Sequence, residues 1–211
     1  MLVVIAGGHG KIALLAQRLL AARGDGAVAL VRNPGHFADV RAAGGNPVLC
    51  DLEAADVASV AGHLAGADAV LFAAGAGPGS GPARKDTVDR GASALLADAA
   101  ERAGVRRFVQ ISSSGIGRTT GDEGFDAYLR AKGAAEDDLR ERDLDWTVLR
   151  PGRLTDEEPT GLVRLAEEPL RGSSVPRGDV AAVVVALLDR PGTVRRTYEL
   201  ISGDVPVEDA F

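Results

Sequence analysis

The chain has 211 residues, 45% of them hydrophobic and 26% charged, with a net charge of −6. That length can bury one sizeable core, so a single α/β domain over residues 1–211 is expected, while the acidic balance and the lack of a basic, aromatic-interleaved stripe argue against nucleic acid or an anionic membrane as partner. The single cysteine, Cys50, cannot close an internal disulfide, and with no bilayer-length apolar run and no charged leader the expectation is a cytoplasmic protein acting on a small molecule.

Short apolar runs alternate with longer helical patterns along the whole chain. Strands are predicted over 2–6, 27–31, 47–50, 69–72, 107–111, 146–149 and 197–201. Helices are predicted over 10–23, 36–43, 55–64, 84–103, 126–142 and 179–188. Continuous apolar strands separated by helices imply a doubly wound parallel sheet, covered on both faces and joined by right-handed crossovers.

The first strand breaks into "GGHG" and restarts as a helix, which leaves backbone N–H groups free for an anion. A nucleoside-triphosphate loop is excluded, because Ile5 stands where its first glycine belongs and Ile12 where a magnesium-binding hydroxyl is required. The dinucleotide fingerprint fits: Gly8, Gly10 and Ala13 read G-x-G-x-x-A, and Gly7 allows the longer spacing as well. After the second strand, "ALVRNPGHF" offers Arg32 and Asn33 where an acid would normally take the ribose hydroxyls of NAD. The planar fork of an arginine suits a 2′-phosphate, so NADP(H) is expected over NAD(H).

Three glycine-rich or polar loops, over 75–82, 115–124 and 152–161, each follow the carboxyl end of a predicted strand, and together they would form the mouth of a substrate pocket. Past the fifth strand come Ser112, Ser113 and Ser114, then Tyr128 and Lys132 four apart on a helical stretch, so both side chains share one face. Tyrosines number two and lysines three in the whole chain, which makes a chance pairing at this spacing rare. An ammonium beside a phenol favours the phenolate and makes a general acid or base.

Together the 7–13 turn, the serine run, Tyr128-x-x-x-Lys132 and "LRPG" at 149–152 resemble the short-chain dehydrogenase/reductase superfamily. They are most similar to its atypical single-domain Rossmann branch of NmrA-like and biliverdin-reductase-B-like proteins. The resemblance implies that Gly7, Gly8, His9 and Gly10 wrap a pyrophosphate, with Lys11 and Ile12 opening the helix that faces it. It implies that Asp51 and Leu52 bracket adenine, that Ala73, Ala74 and Gly75 lie along the adenosine ribose, and that Ser112 also belongs to the cofactor site. Tyr128 would be the acid/base, Lys132 would hold the nicotinamide ribose and tune Tyr128, and Pro151, Gly152, Arg153 and Leu154 would run beside the nicotinamide. Ser113 and Ser114 both align with the hydroxyl that orients substrate.

Two functions are compatible with these features. The first is an NADPH-dependent reductase of a small carbonyl, quinone or similar conjugated acceptor. The second is an NADP(H)-sensing module that signals to a protein partner, which would not need the tyrosine–lysine pair; sugar-nucleotide epimerisation ranks below both. His36 and His63 lack partners at metal-ligand spacing, so no metal site is expected. His9 reads as a turn residue, Trp146 as core and residues 136–142 as a solvated helix face, and the charged outer face of the 126–142 helix favours a monomer.

Overall fold

The computed structural model of the protein describes residues 1–77, 79–170 and 174–211. Pro78, within the predicted 75–82 mouth loop, lies outside the described residues. In chain order the elements are β1 (Leu2–Ala6), α1 (Lys11–Ala22), β2 (Gly26–Val31), α2 (Phe37–Ala42), β3 (Asn46–Leu49), α3 (Val57–Leu64), β4 (Ala69–Phe72) and α4 (Pro82–Lys85). They continue with α5 (Ala92–Ala103), β5 (Arg107–Ile111), α6 (Glu123–Arg140), β6 (Asp145–Pro151), β7 (Arg153–Thr155), β8 (Leu162–Ala166), β9 (Ser174–Pro176), α7 (Arg177–Leu188), β10 (Arg196–Ser202) and β11 (Val205–Pro206).

Nine strands form one sheet in the order β11-β8-β10-β6-β5-β4-β1-β2-β3. From β3 to β10 every pairing is parallel, as the apolar runs predict, and the order reverses between β1 and β4 in the manner of a Rossmann fold. The parallel pattern stops at one edge. β8 runs antiparallel to β10, and β11 antiparallel to β8. Neither was expected, since β8 offers one fully buried residue, Val163, and β11 is two residues long. The 152–161 loop is likewise shorter than expected, because β7 pairs with β9 in a separate parallel ribbon.

Strand pleating divides the core into two layers. Val3 and Ile5 of β1 face one cluster with Leu20 of α1 and Val184 of α7, while Val4 and Ala6 face the other with Leu64 of α3 and Leu96 of α5. On α1 the buried residues Ala13, Ala16, Gln17 and Leu20 follow the i, i+3, i+4, i+7 spacing of an inward stripe. The predicted 84–103 helix is interrupted by a π-helical turn over Asp86–Gly91. The 126–142 helix starts three residues early, where Asp122 caps it by accepting from Phe125 N. No described helix is long and apolar enough to cross a membrane.

The first two glycines of the β1–α1 turn are demanded by packing. Gly7 has φ +74°, and a Cβ there would sit 2.6 Å from Ala74 Cα; a Cβ on Gly8 would sit 2.4 Å from Ala29 Cβ. At Gly10 a Cβ meets nothing nearer than Gly7 O, at 3.3 Å. Gly8→Val is therefore expected to destabilise the protein by about 1–3 kcal/mol through overpacking, whereas Gly10→Val, whose Cβ meets one tight neighbour and which puts a poor residue at the N-cap of a helix, should cost about 1 kcal/mol or less and leave the protein folded. Urea midpoints at unchanged m value check both.

Candidate active site

The strand order reverses between β1 and β4, and ligands of open α/β sheets bind at the carboxyl edge of such a switch point. Two cavities open there, of about 280 and 380 Å³, and both are lined by Ala73, Ala74 and Gly75, which follow β4. They form the two halves of one cleft.

Gly7, Gly8, His9 and Gly10 line the first half. Gly10 is the N-cap of α1, with no side-chain capping bond and no acid in the first turn, so the helix presents free N–H groups and the positive end of its dipole to that half. A buried amide fixes the turn: Gln17 Nε2 donates to Gly8 O at 2.7 Å and to Ala13 O at 3.0 Å. The only sequence signal for Gln17 was an amide on the inward stripe of α1. His9 stacks on His36 with ring centroids 3.6 Å apart, and its Nε2 lies 2.8 Å from Asp39 Oδ2. Partial burial, then the charge of His9, hold His36 below the usual imidazole pKa. Lys11 lies outside the lining and reaches Asp156 at 2.6 Å, a bond that keeps this carboxyl below the usual carboxylate range.

At the far end of the first half sit Arg32, Asp51 and Leu52. Asn33 does not line it; its Oδ1 accepts from Gly35 N at 2.9 Å and caps a short turn. The carboxylate missing after β2 arrives from after β3: Glu53 lies 3.6 Å from Arg32, 2.9 Å from Arg84 and 2.8 Å from the Thr87 hydroxyl. Glu53 and Arg84 were not predicted, because only tertiary packing brings them to Arg32.

Tyr128, half-buried on α6, lines the second half together with Ile12, Ile111, Phe125 and Leu154. Lys132 is beside it but bonded elsewhere. Its Nζ donates to Ile111 O at 3.1 Å and Ala74 O at 3.4 Å and lies 3.2 Å from Asp89 Oδ1, while the Tyr128 ring centroid is 5.9 Å away. A second ammonium, that of Lys85, lies 5.2 Å from the same centroid. Lys85 and Asp89 come from the end of α4 and from the π turn, a device frequent at functional sites.

Of the three serines only Ser112 lines the cleft. Its hydroxyl is already spent, donating to Glu136 Oε1 at 2.6 Å. Ser113 Oγ donates to Ser114 O, and Ser114 N donates to Pro151 O. Glu136 is not on a solvated face: it is 0% exposed and accepts from Arg150 Nη2 and Arg140 Nη2, both at 2.6 Å. Its position on α6 turns it toward β6, whereas Asp137 beside it faces water. Pro151 ends β6, Gly152 links it to β7 with its N donating to Leu200 O, and of the 151–154 run Leu154 alone lines the cleft.

Residues 7–191 match the model of a family described as NAD(P)H-binding. The chain is 34% identical to an uncharacterized sugar epimerase, YhfK, of Bacillus subtilis, over 100% of this chain and 99% of that protein. Among solved structures it is similar to a putative NAD-dependent epimerase/dehydratase from Bacillus halodurans, with TM-score 0.90 and 33% identity over 99% of this chain and 97% of that one. It is also similar to ChuY, an anaerobillin reductase from Escherichia coli O157:H7, with TM-score 0.81 and 25% identity over 97% and 98%. A dinucleotide-type cleft at the switch point and a family match along most of the sequence agree, and the chain belongs to the NAD(P)H-binding family, within the atypical branch of the short-chain dehydrogenase/reductase superfamily.

Proposed function

We propose that the protein is an NADPH-dependent reductase of a small carbonyl, quinone or similar conjugated acceptor, with Tyr128 as proton donor. The observation that carries this is the continuity of the cleft: an uncapped helix start floors one half, and Tyr128 stands in the other, faced by Lys85 and Lys132. The cradle fits a dinucleotide pyrophosphate, since Gly10 leaves free the space a Cβ would fill and no acid opposes an anion in the first turn of α1. The name of ChuY as a reductase supports the same reaction class.

When bound, the reduced nicotinamide supplies hydride to the acceptor carbon. Tyr128 then delivers the Oη proton to the acceptor oxygen. Lys132 positions the cleft floor, because its three contacts join α6 to the ends of β4 and β5 and to the π turn. Ile12, Ile111 and Leu154 keep water from the reacting atoms. Ser112 donates to Glu136, so its remaining capacity toward substrate is that of an acceptor.

NADP(H) is preferred in this proposal because the Arg32 guanidinium, 56% exposed and 3.6 Å from Glu53 rather than tightly paired with it, keeps its planar donors available to a 2′-phosphate. Arg32→Ala should weaken NADPH binding roughly tenfold or more, with NADH little changed, and Glu53→Gln should strengthen NADPH. Calorimetric titration of both cofactors reads this; equal wild-type affinities for NADPH and NADH would remove the preference.

Tyr128→Phe keeps the ring and its packing while removing the proton, so kcat should fall by roughly 10²–10⁴-fold with NADPH affinity retained. The assay follows NADPH absorbance against a panel of quinones and aromatic aldehydes. Turnover untouched by Tyr128→Phe would refute the donor role, and tight NADPH binding with no acceptor turned over would favour the sensor.

A further inference from the structure

Among the described residues the Lys85 ammonium has no hydrogen-bonding or ionic partner, yet it lies within the second half of the cleft. We infer that it is an anion anchor, and that the acceptor is a conjugated or aromatic carbonyl compound bearing one carboxylate or similar anionic group. The acceptor's chemistry rests on the reductase proposal; the anion site does not.

The two lysines of the second half stand in opposite electrostatic situations. Lys132 is neutralised by Asp89 and bonded to two strand-end carbonyls. Lys85 lines the same cavity and is 8% exposed, but among the described residues no carboxylate or carbonyl bonds its ammonium. Nearby acids are already committed: Asp86 takes a bidentate pair from Arg90 at 2.6 and 2.8 Å, and Asp89 faces Lys132. The face of the Tyr128 ring, 5.2 Å away, is the neighbour Lys85 has. Withdrawing an ammonium from water without a counter-ion is costly, and a bound anion removes that cost.

The cavity around this charge is otherwise suited to an apolar, flat body. Ile12, Ile111 and Leu154 supply aliphatic wall, and the Phe125 ring lies 5.8 Å from that of Tyr128 at 27°, with Phe125 exposed at the mouth. A volume of about 380 Å³ admits a small aromatic ligand. With Lys132 and Asp89 cancelling, Lys85 leaves this half net positive inside a protein of net charge −6. An anionic group on Lys85 would bring the rest of the ligand against Tyr128, which faces the same ammonium.

The test compares naphthalene-2-carboxylate with naphthalene-2-carboxamide, neither of which needs to react, by calorimetry on protein saturated with NADP⁺ so that the glycine turn is not open to the probe. Wild type should bind the carboxylate at least about tenfold more tightly than the amide. Lys85→Met should erase that preference and Lys85→Arg should keep most of it. Equal binding of the two probes by wild type, binding of neither, or an unchanged preference in folded Lys85→Met overturns the anion site; the first two outcomes need no variant to fold. In parallel, 4-carboxybenzaldehyde and its methyl ester are assayed with NADPH. A carboxylate preference in binding with no turnover of either aldehyde or of any member of the quinone and aldehyde panel would refute the reductase proposal while upholding the anchor.

Discussion

The cleft is organised around one ammonium. Lys132 Nζ, on α6, contacts the carbonyl of Ala74 after β4, the carbonyl of Ile111 at the end of β5, and the carboxylate of Asp89 in the π turn. Four elements thus meet at one buried charge, with 5% of the Lys132 side chain exposed and none of that of Asp89. Removing one partner of such a pair leaves the other buried and unpaired, at a cost of about 3–5 kcal/mol. Asp89 is itself tied to the loop after β4, accepting from Ala76 N at 3.2 Å. The segment shared by both halves of the cleft, residues 73–75, is consequently held from beneath, and the position of Tyr128 one turn earlier on α6 follows from where Lys132 is anchored.

Backbone packing shapes the other side of the same floor. Gly7 abuts Ala74 and Gly8 abuts Ala29, so β1 and its turn approach the ends of β4 and β2 more closely than any side chain would allow. Gln17 locks that turn from α1, and the helix start is left facing the cleft. The glycines therefore divide their labour: two permit the fold's close approach, and Gly10 leaves room for an anion. On the opposite flank the buried Glu136 collects Ser112, Arg140 and Arg150, which braces the end of β5 against α6 and β6.

Much of this was legible in the sequence where local pattern and tertiary environment agree. The strands at Leu2–Ala6, Ala69–Phe72 and Arg107–Ile111 lie at their predicted residues because each is a short apolar run bounded by turn-forming or polar residues. Strand β8, next to the two-residue edge strand β11, escaped because its pairing with β10 is a matter of backbone more than of buried side chains. The glycine turn, Tyr128 and Lys132 were legible as motifs with mechanical reasons. Lys85 and Asp89 were not, since a π turn changes which residues of a helix face inward, and the 84–103 run carries an ordinary helical period. Glu136 was hidden in a run of charges of which it is the buried member, and Glu53 and Arg32 are brought together across two different strand ends.

The two halves stand or fall together as one dinucleotide site with a reactive end. A crystal structure of the protein with NADP⁺ tests this most directly. The adenosine should lie against Arg32 and Glu53, the pyrophosphate on the free N–H groups of the first turn of α1 just past Gly10, and the nicotinamide in the second half beside Tyr128, Ile12 and Leu154. A nicotinamide ring seated outside the Tyr128 cavity, with the adenosine bound as expected, would contradict it.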